Sequence, residues 1–220
     1  MKRIIYFTWG VLVVAGISVS SYGNDKHSAA INHYKSLGGY VLDGNRSIDI
    51  SANRKITDKD LRYLEEIPGI ENLSLSNTNI TDEGLKSVKI LKNLVSLHIG
   101  QTKITDEGLK SINDLTNLKI LSLDNTLITN EGLKILGNLT NLMELWLQNT
   151  NITDEGVSSL TGLQKLETLY LSGTKITDKS LNSLETFKNL VELRVGKTKI
   201  TAGGIARLKK KLPRCRIFND

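Results

Sequence analysis

Three kinds of side chain in this sequence have the types and spacing for chemistry: adjacent carboxylates, imidazoles and a single thiol. Asp82/Glu83, Asp106/Glu107 and Asp154/Glu155 each set two acids side by side, the pairing that acid–base catalysis uses. They recur at one place in a repeated segment, however, at the start of a predicted short helix. There, carboxylates are explained by the positive end of the helix dipole. Only His27, His33 and His98 offer an imidazole, and no Cys, Asp or His near His98 has the spacing of a metal site. Gly84, Gly108, Gly132 and Gly156 fall inside helical turns and form no phosphate-cradling loop. Cys215 is the only cysteine, so no intramolecular disulfide can form. It is expected to be a small buried residue of the C-terminal end. These residues predict no enzyme, no metal ion and no cofactor.

The positioning elements follow from an internal repeat. Ile-Thr followed by Asp, Asn or Ala recurs at Ile56, Ile80, Ile104, Ile128, Ile152, Ile176 and Ile200, always 24 residues apart, the mark of a repeat architecture. Six full units start at Ile70, Leu94, Leu118, Leu142, Leu166 and Leu190. Within each, apolar residues three and five positions on, such as Leu97 and Ile99 or Leu145 and Leu147, alternate with polar ones as in a strand with one buried face. After a Thr (Thr78 through Thr198) and the Ile-Thr-Asp step the apolar spacing becomes three, as in Leu109/Ile112/Leu115, which places these residues on one face of a short helix. The Thr of that step is placed to cap the helix. Each unit therefore reads as strand, turn, short helix and loop. No unit can bury its apolar face alone, so the units must stack.

Stacking defines a surface. The residue between the two buried strand positions points outward, and down the array these are Ser74, His98, Ser122, Trp146, Tyr170 and Arg194. The next outward position holds Ser76, Gly100, Asp124, Gln148, Ser172 and Gly196. With strands about 4.8 Å apart, Trp146 and Tyr170 are neighbours and Arg194 is one strand further. Trp, Tyr and Arg are the types enriched at interface hot spots. Trp146, Tyr170, Arg194, His98, Asp124 and Gln148 are therefore the candidate partner-binding residues, with Glu144, Glu192 and Lys197 as a polar rim. The competing reading is that the aromatics only favour strands and stack on one another. The rival activity is a hydrolase using His98 with Asp124.

The unit Leu-x-x-Leu-x-Leu-x-x-Thr-x-Ile-Thr-Asp-x-Gly-Leu resembles the leucine-rich-repeat family, in particular exported bacterial arrays of 24-residue repeats, over about residues 46–220. The resemblance implies an α/β fold: a right-handed β-α solenoid with a parallel concave sheet and short helices on the convex side. It also implies a binding or scaffold role, with a protein as partner and a glycan as the alternative. The repeats are similar also to those of F-box substrate receptors of ubiquitin ligases. Those often carry Cys where Thr78 through Thr198 stand, and an F-box that this sequence lacks.

The ends complete the organisation. Met1-Lys2-Arg3, the apolar run Ile4–Val19 and the small residues Ser21 and Gly23 have the layout of a secretory signal peptide over residues 1–23, with an uncleaved membrane anchor as the alternative. Export to the periplasm or medium is expected, with membrane attachment only if this segment is retained. Residues 24–54 read as an N-terminal cap with a helix over Ser28–Leu37 and a hairpin around Asp43-Gly44-Asn45. Residues 55–200 are the array, and residues 201–220 are a C-terminal cap with a helix over Ile205–Leu212 and a closing strand at Cys215–Phe218. The net charge of +6 drops by two when Lys2 and Arg3 go, which is too mild to indicate nucleic acid. The basic run Arg207, Lys209, Lys210, Lys211, Arg214 and Arg216 reads as a solvated helix end suited to the negative dipole terminus, or else as a patch for an anionic surface. A monomer is expected.

Overall fold

The computed structural model describes residues 25–220; the signal-peptide reading of residues 1–23 falls outside them. Nine three-residue strands form one sheet in chain order: β1 (Tyr40–Leu42), β2 (Ser47–Asp49), β3 (Asn72–Ser74), β4 (Ser96–His98), β5 (Ile120–Ser122), β6 (Glu144–Trp146), β7 (Thr168–Tyr170), β8 (Glu192–Arg194) and β9 (Arg216–Phe218). The first pair is antiparallel and every later pair is parallel. From β3 to β9 each residue pairs with the one 24 positions on. The step from Ser47 to Asn72 is one residue longer.

The alternation seen in the sequence decides which face is buried. Leu73, Leu97, Leu121, Leu145, Leu169 and Leu193 are buried mid-strand, and with the Leu and Ile residues of the following turns they form one continuous core along the solenoid. Six-residue helices such as Asn130–Ile135 and Asp154–Ser159, or a single turn such as Asp106–Leu109, return the chain on the convex side. The spacing of three predicts more helix than forms: Ile112 and Leu115 lie beyond the helix end at Leu109 yet are wholly buried. Burial, not helix length, is what the apolar spacing encodes.

Between strand and helix each coil makes the same turn. Asn77, Gln101, Asn125, Asn149 and Lys197 take a left-handed backbone with φ near 55°, and Gly173 holds the equivalent place at 73°. Asn and Gly tolerate that region best. The following Thr is buried in every coil but that of Thr198, and its hydroxyl donates to the carbonyl three residues back, as Thr102 does to Ile99 at 2.6 Å. This closes the turn that the Thr series predicts.

At the N-terminal end a helix over Asp25–Ser36 covers the first coil through Ala30, Ile31 and Tyr34. Gly38 at φ 81° stops it, with Gly39 N–H donating to Tyr34 O, the pattern of a glycine-terminated helix. At the other end the helix Ala202–Lys211 buries Ile205 and Leu208, and β9 closes the sheet beside β8. Among the described residues no helix is long and apolar enough to cross a membrane.

Candidate binding surface

The acid pairs have a structural use beyond helix capping. The carboxylate of Asp82 accepts both the backbone N–H of Thr105 at 2.8 Å and its hydroxyl at 2.6 Å, one coil further on. Asp58 with Thr81, Asp106 with Thr129, Asp154 with Thr177 and Asp178 with Thr201 repeat the rung. Gly108, Gly132 and Gly204 leave room for these carboxylates, since a Cβ there would land on the preceding coil's Asp oxygen. Ser180 replaces glycine once, and its hydroxyl donates to Asp154. Burial pushes the Asp154 carboxyl up, but the bonds from Ser180 and Thr177 outweigh that and hold it below its ordinary value. The Asp of each pair is thus engaged between coils, while Glu83 and Glu107 pair on the surface with Lys86 and Lys110 of their own coil.

On the opposite, concave face the register brings four of the predicted residues into one row. His98, Ser122, Trp146, Tyr170, Arg194 and Phe218 lie on successive strands. Trp146 stacks on Tyr170 with ring centres 5.6 Å apart and planes 22° apart, and the Arg194 guanidinium sits 4.7 Å from the Tyr170 ring centre and 5.2 Å from that of Phe218. Trp146 also meets His98 edge to face at 5.6 Å, although β5 separates their strands. That distance is reached because Ser122, on the strand between them, is small. The indole leans across it, leaving Ser122 2% exposed.

Two expectations change. Tyr170 is not an exposed aromatic: it is 8% exposed, with Trp146 and Arg194 against its ring and its hydroxyl donating to Glu192 at 2.7 Å. Glu192 is not a rim residue either. Its carboxylate is buried and accepts from Tyr170, Arg194 Nε at 2.9 Å and Arg216 at 3.0 Å, because the closing strand β9 delivers Arg216 beside it. Burial raises the Glu192 carboxyl, but those bonds and the two guanidinium charges hold it below its ordinary value. Tyr170 and Glu192 therefore fix the row, and Trp146, Arg194 and Phe218 carry its accessible surface. Phe218 was missed by the sequence reading, although counting 24 from Arg194 reaches it.

Asp124 and Gln148 occupy the next outward row. Asp124 accepts from Ser122 at 2.6 Å and from Asn125 at 2.9 Å, and leans over Gly100, where a Cβ would collide with it. Gln148 Oε1 and Trp146 Nε1 are both buried with no hydrogen-bond partner among the described residues. Glu144, on the same strand as Trp146, is half-buried. Burial, then the nearby Glu167 and Glu192 charges, push its carboxyl up. Lys197 is exposed.

The hydrolase pairing does not assemble. The His98 ring nitrogen Nε2 lies 2.9 Å from Ser96 Oγ, while Asp124 is bound to Ser122 and Asn125. A triad needs a carboxylate on the second ring nitrogen, and no such bond forms among the described residues. Burial lowers the His98 pKa, against the pull of Asp49 and Asp124. Among the described residues no three His, Cys, Asp or Glu side chains gather as a metal site would need. Cys215 is only half-buried, and burial pushes its thiol up to about 11, so it holds little thiolate at neutral pH. Of the basic run, Arg207 pairs with Glu185 and Asn182, and Arg216 with Glu192.

Coils that repeat one unit, share one core and line up one strand each define a solenoid. Family models described as leucine rich repeat match residues 70–89, 91–112 and 140–200, so the coils over those residues are leucine-rich repeats. No curated protein matches the sequence significantly. Among solved structures, an internalin C2 from Listeria monocytogenes is similar over 87% of this chain and 92% of its own, with 24% identity and a TM-score of 0.62. A leucine-rich-repeat protein of Leptospira interrogans is similar over 71% of this chain and 50% of its own, with 22% identity and a TM-score of 0.50. At these identities the likeness is one of fold.

Proposed function

We propose that this chain is a non-catalytic binding protein, exported through residues 1–23, that recognises a protein partner with the concave face between His98 and Phe218. One observation carries the reading: Trp146, Arg194 and Phe218 form an aromatic–arginine row on the concave face that Tyr170 and Glu192 brace. Row members are braced by Glu192 before any partner arrives, which reduces the side-chain ordering that association must otherwise supply. Leucine-rich-repeat domains generally bind proteins, which supports the same reading.

The test is crosslinking and affinity capture from the native envelope fraction, comparing the wild type with a Trp146→Ala, Gln148→Ala variant. Both side chains are only partly buried, so the variant should fold. Loss of one captured protein is the expected result. Capture unchanged in a folded variant rejects the concave site, and capture of a glycan instead corrects the partner class. N-terminal sequencing of the mature chain tests export and cleavage after Gly23.

A further inference from the structure

The last two coils break the charge pattern of the repeat. In the middle coils a Glu in the first helical turn pairs with a Lys three residues on: Glu83 with Lys86, Glu107 with Lys110 and Glu131 with Lys134. At the equivalent places the last two coils carry Lys179 and Gly203. From Lys175 onward the chain holds twelve Lys or Arg against four Asp or Glu, a net charge of +8, while residues 25–174 hold 15 against 19, a net charge of −4. Three of those four acids are already taken by the fold. Asp178 accepts from Thr201, Glu185 pairs with Arg207, and Glu192 pairs with Arg194 and Arg216. Lys188, Lys209, Lys210, Lys211 and Arg214 are exposed and have no ion pair among the described residues. The C-terminal helix runs for ten residues where the α-helices of the array have at most seven, and its added turn is Lys209-Lys210-Lys211. One cation in the last turn serves the helix dipole; three in a row exceed that need.

These cations gather at one end of the solenoid. Lys188 precedes β8 by four residues, as Leu212 precedes β9. Lys188, Lys211 and Arg214 therefore lie where the last two coils turn from helix to strand. Apolar surface lies among them: Val191 is 42% exposed, its carbonyl accepts the Arg216 N–H at 2.8 Å, and the neighbouring Cys215 is only half-buried. We propose that this end of the solenoid docks on a membrane surface of anionic lipids, with Lys188, Lys209, Lys210, Lys211 and Arg214 over the phosphates and Val191 at the edge of the acyl region. Such docking needs no retained N-terminal anchor, and it does not rest on the concave binding role. The chemistry selects a lipid surface. Four of the five cations are lysines, hydrated point charges suited to the diffuse field of a charged plane. A bidentate grip on single phosphates calls for arginine instead. An exposed valine among the cations gains from a lipid interface and gains nothing from a soluble polyanion.

The test is co-sedimentation with phosphatidylcholine vesicles, with and without one-third phosphatidylglycerol. It uses the chain from Asn24 on, which holds every residue of the described core and lacks the apolar run Ile4–Val19. At about 0.1 M salt, where charge acts over about 10 Å, partition to the anionic vesicles should exceed that to neutral ones at least tenfold, and high salt should abolish it. The combined Lys209→Gln, Lys210→Gln, Lys211→Gln variant should lower it tenfold or more. Lys86→Gln, Lys89→Gln, Lys92→Gln removes the same charge from a distant coil and should lower it less than threefold. All six lysines are exposed, and circular dichroism checks the fold of both variants. Equal partition to neutral vesicles, no binding to either kind, or equal losses in the two triple variants overturn the proposal. So does polyphosphate bound as tightly, per phosphate, as the anionic vesicles, since that assigns this end to a soluble polymer.

Discussion

Two glutamates at one strand position show how far the fate of a residue depends on what the next coils bring. Glu192 has its pKa lowered, so it contributes stability that is present above the ordinary carboxylate pKa and is lost as pH falls through its own lower value. Glu144 has its pKa raised, so between the ordinary value and its own the folded state holds the proton more tightly. Stability then falls as pH rises through that window, and the penalty is complete at neutral pH. The expected outcome is opposite effects from one change. Glu192→Gln should destabilise by roughly 2 kcal/mol, less than for a fully buried pair because Arg194 and Arg216 can turn to water. Glu144→Gln should stabilise at pH 7 and have a vanishing effect at pH 4. Urea denaturation at both pH values checks this, and a destabilised Glu144→Gln at pH 7 would contradict it. The position of both residues on the concave face was legible in the alternation of the strands. Their difference was not, because Arg216 reaches Glu192 only once the closing strand has paired, and no local pattern announces that.

At the scale of one coil, the sequence shows its repeat through residues whose role lies in the neighbouring coil. In the sequence the Asp of Ile-Thr-Asp reads as a helix-end charge, and the Thr beside it does act as the cap: Thr81, Thr105 and Thr129 accept the N–H two residues on. The Asp itself reaches a Thr 23 residues later, a partner that periodicity alone cannot reveal. The coil with Asn130 tests the account. Here the amide carbonyl accepts the Thr153 N–H, but the amide nitrogen donates to the Thr153 hydroxyl, reversing the usual bond. Among Thr81, Thr105, Thr129, Thr153 and Thr177, Thr153 is the one with no side-chain bond to its helix. An ionised acceptor makes a stronger bond than an amide, and a lost cap costs about 1 kcal/mol. Asn130→Asp should therefore raise stability by about 1 kcal/mol, or roughly 2–4 °C for a chain of this size, measured by thermal unfolding. No change or a loss would show that the rungs carry no net energy. Gly108 and Gly132 were legible as helix residues only; their need to be small comes from the carboxylate of the coil before.

Over the whole molecule, each coil packs only on its neighbours, so damage should spread by distance along the array and not through the chain at large. The core is continuous from Tyr34 in the N-terminal helix to Leu208 and Leu212 in the C-terminal one, yet the aromatic–arginine part of the concave row, Trp146 to Phe218, lies on β6 to β9, next to one end. Tyr34 is wholly buried and donates to Asp60 O at 2.9 Å; Leu208 is wholly buried beneath the closing strand. Truncating either leaves a cavity, with a cost of about 2–5 kcal/mol. For the N-terminal variant, Tyr34→Ala, amide exchange should quicken over β2 and β3 and stay at wild-type rates at Tyr170 and Leu193. For the C-terminal variant, Leu208→Ala, exchange should quicken at β8 and β9, free Arg216 from Glu192, and weaken the bracing of Tyr170 and Trp146. Local opening of this kind is what amide exchange reports. Partner affinity should then fall in Leu208→Ala and persist in Tyr34→Ala under conditions where both are still folded. If the two variants raised exchange uniformly from β2 to β9, the molecule would unfold as one cooperative unit. The placement of the row beside the C-terminal cap would then have no bearing on how firmly it is held.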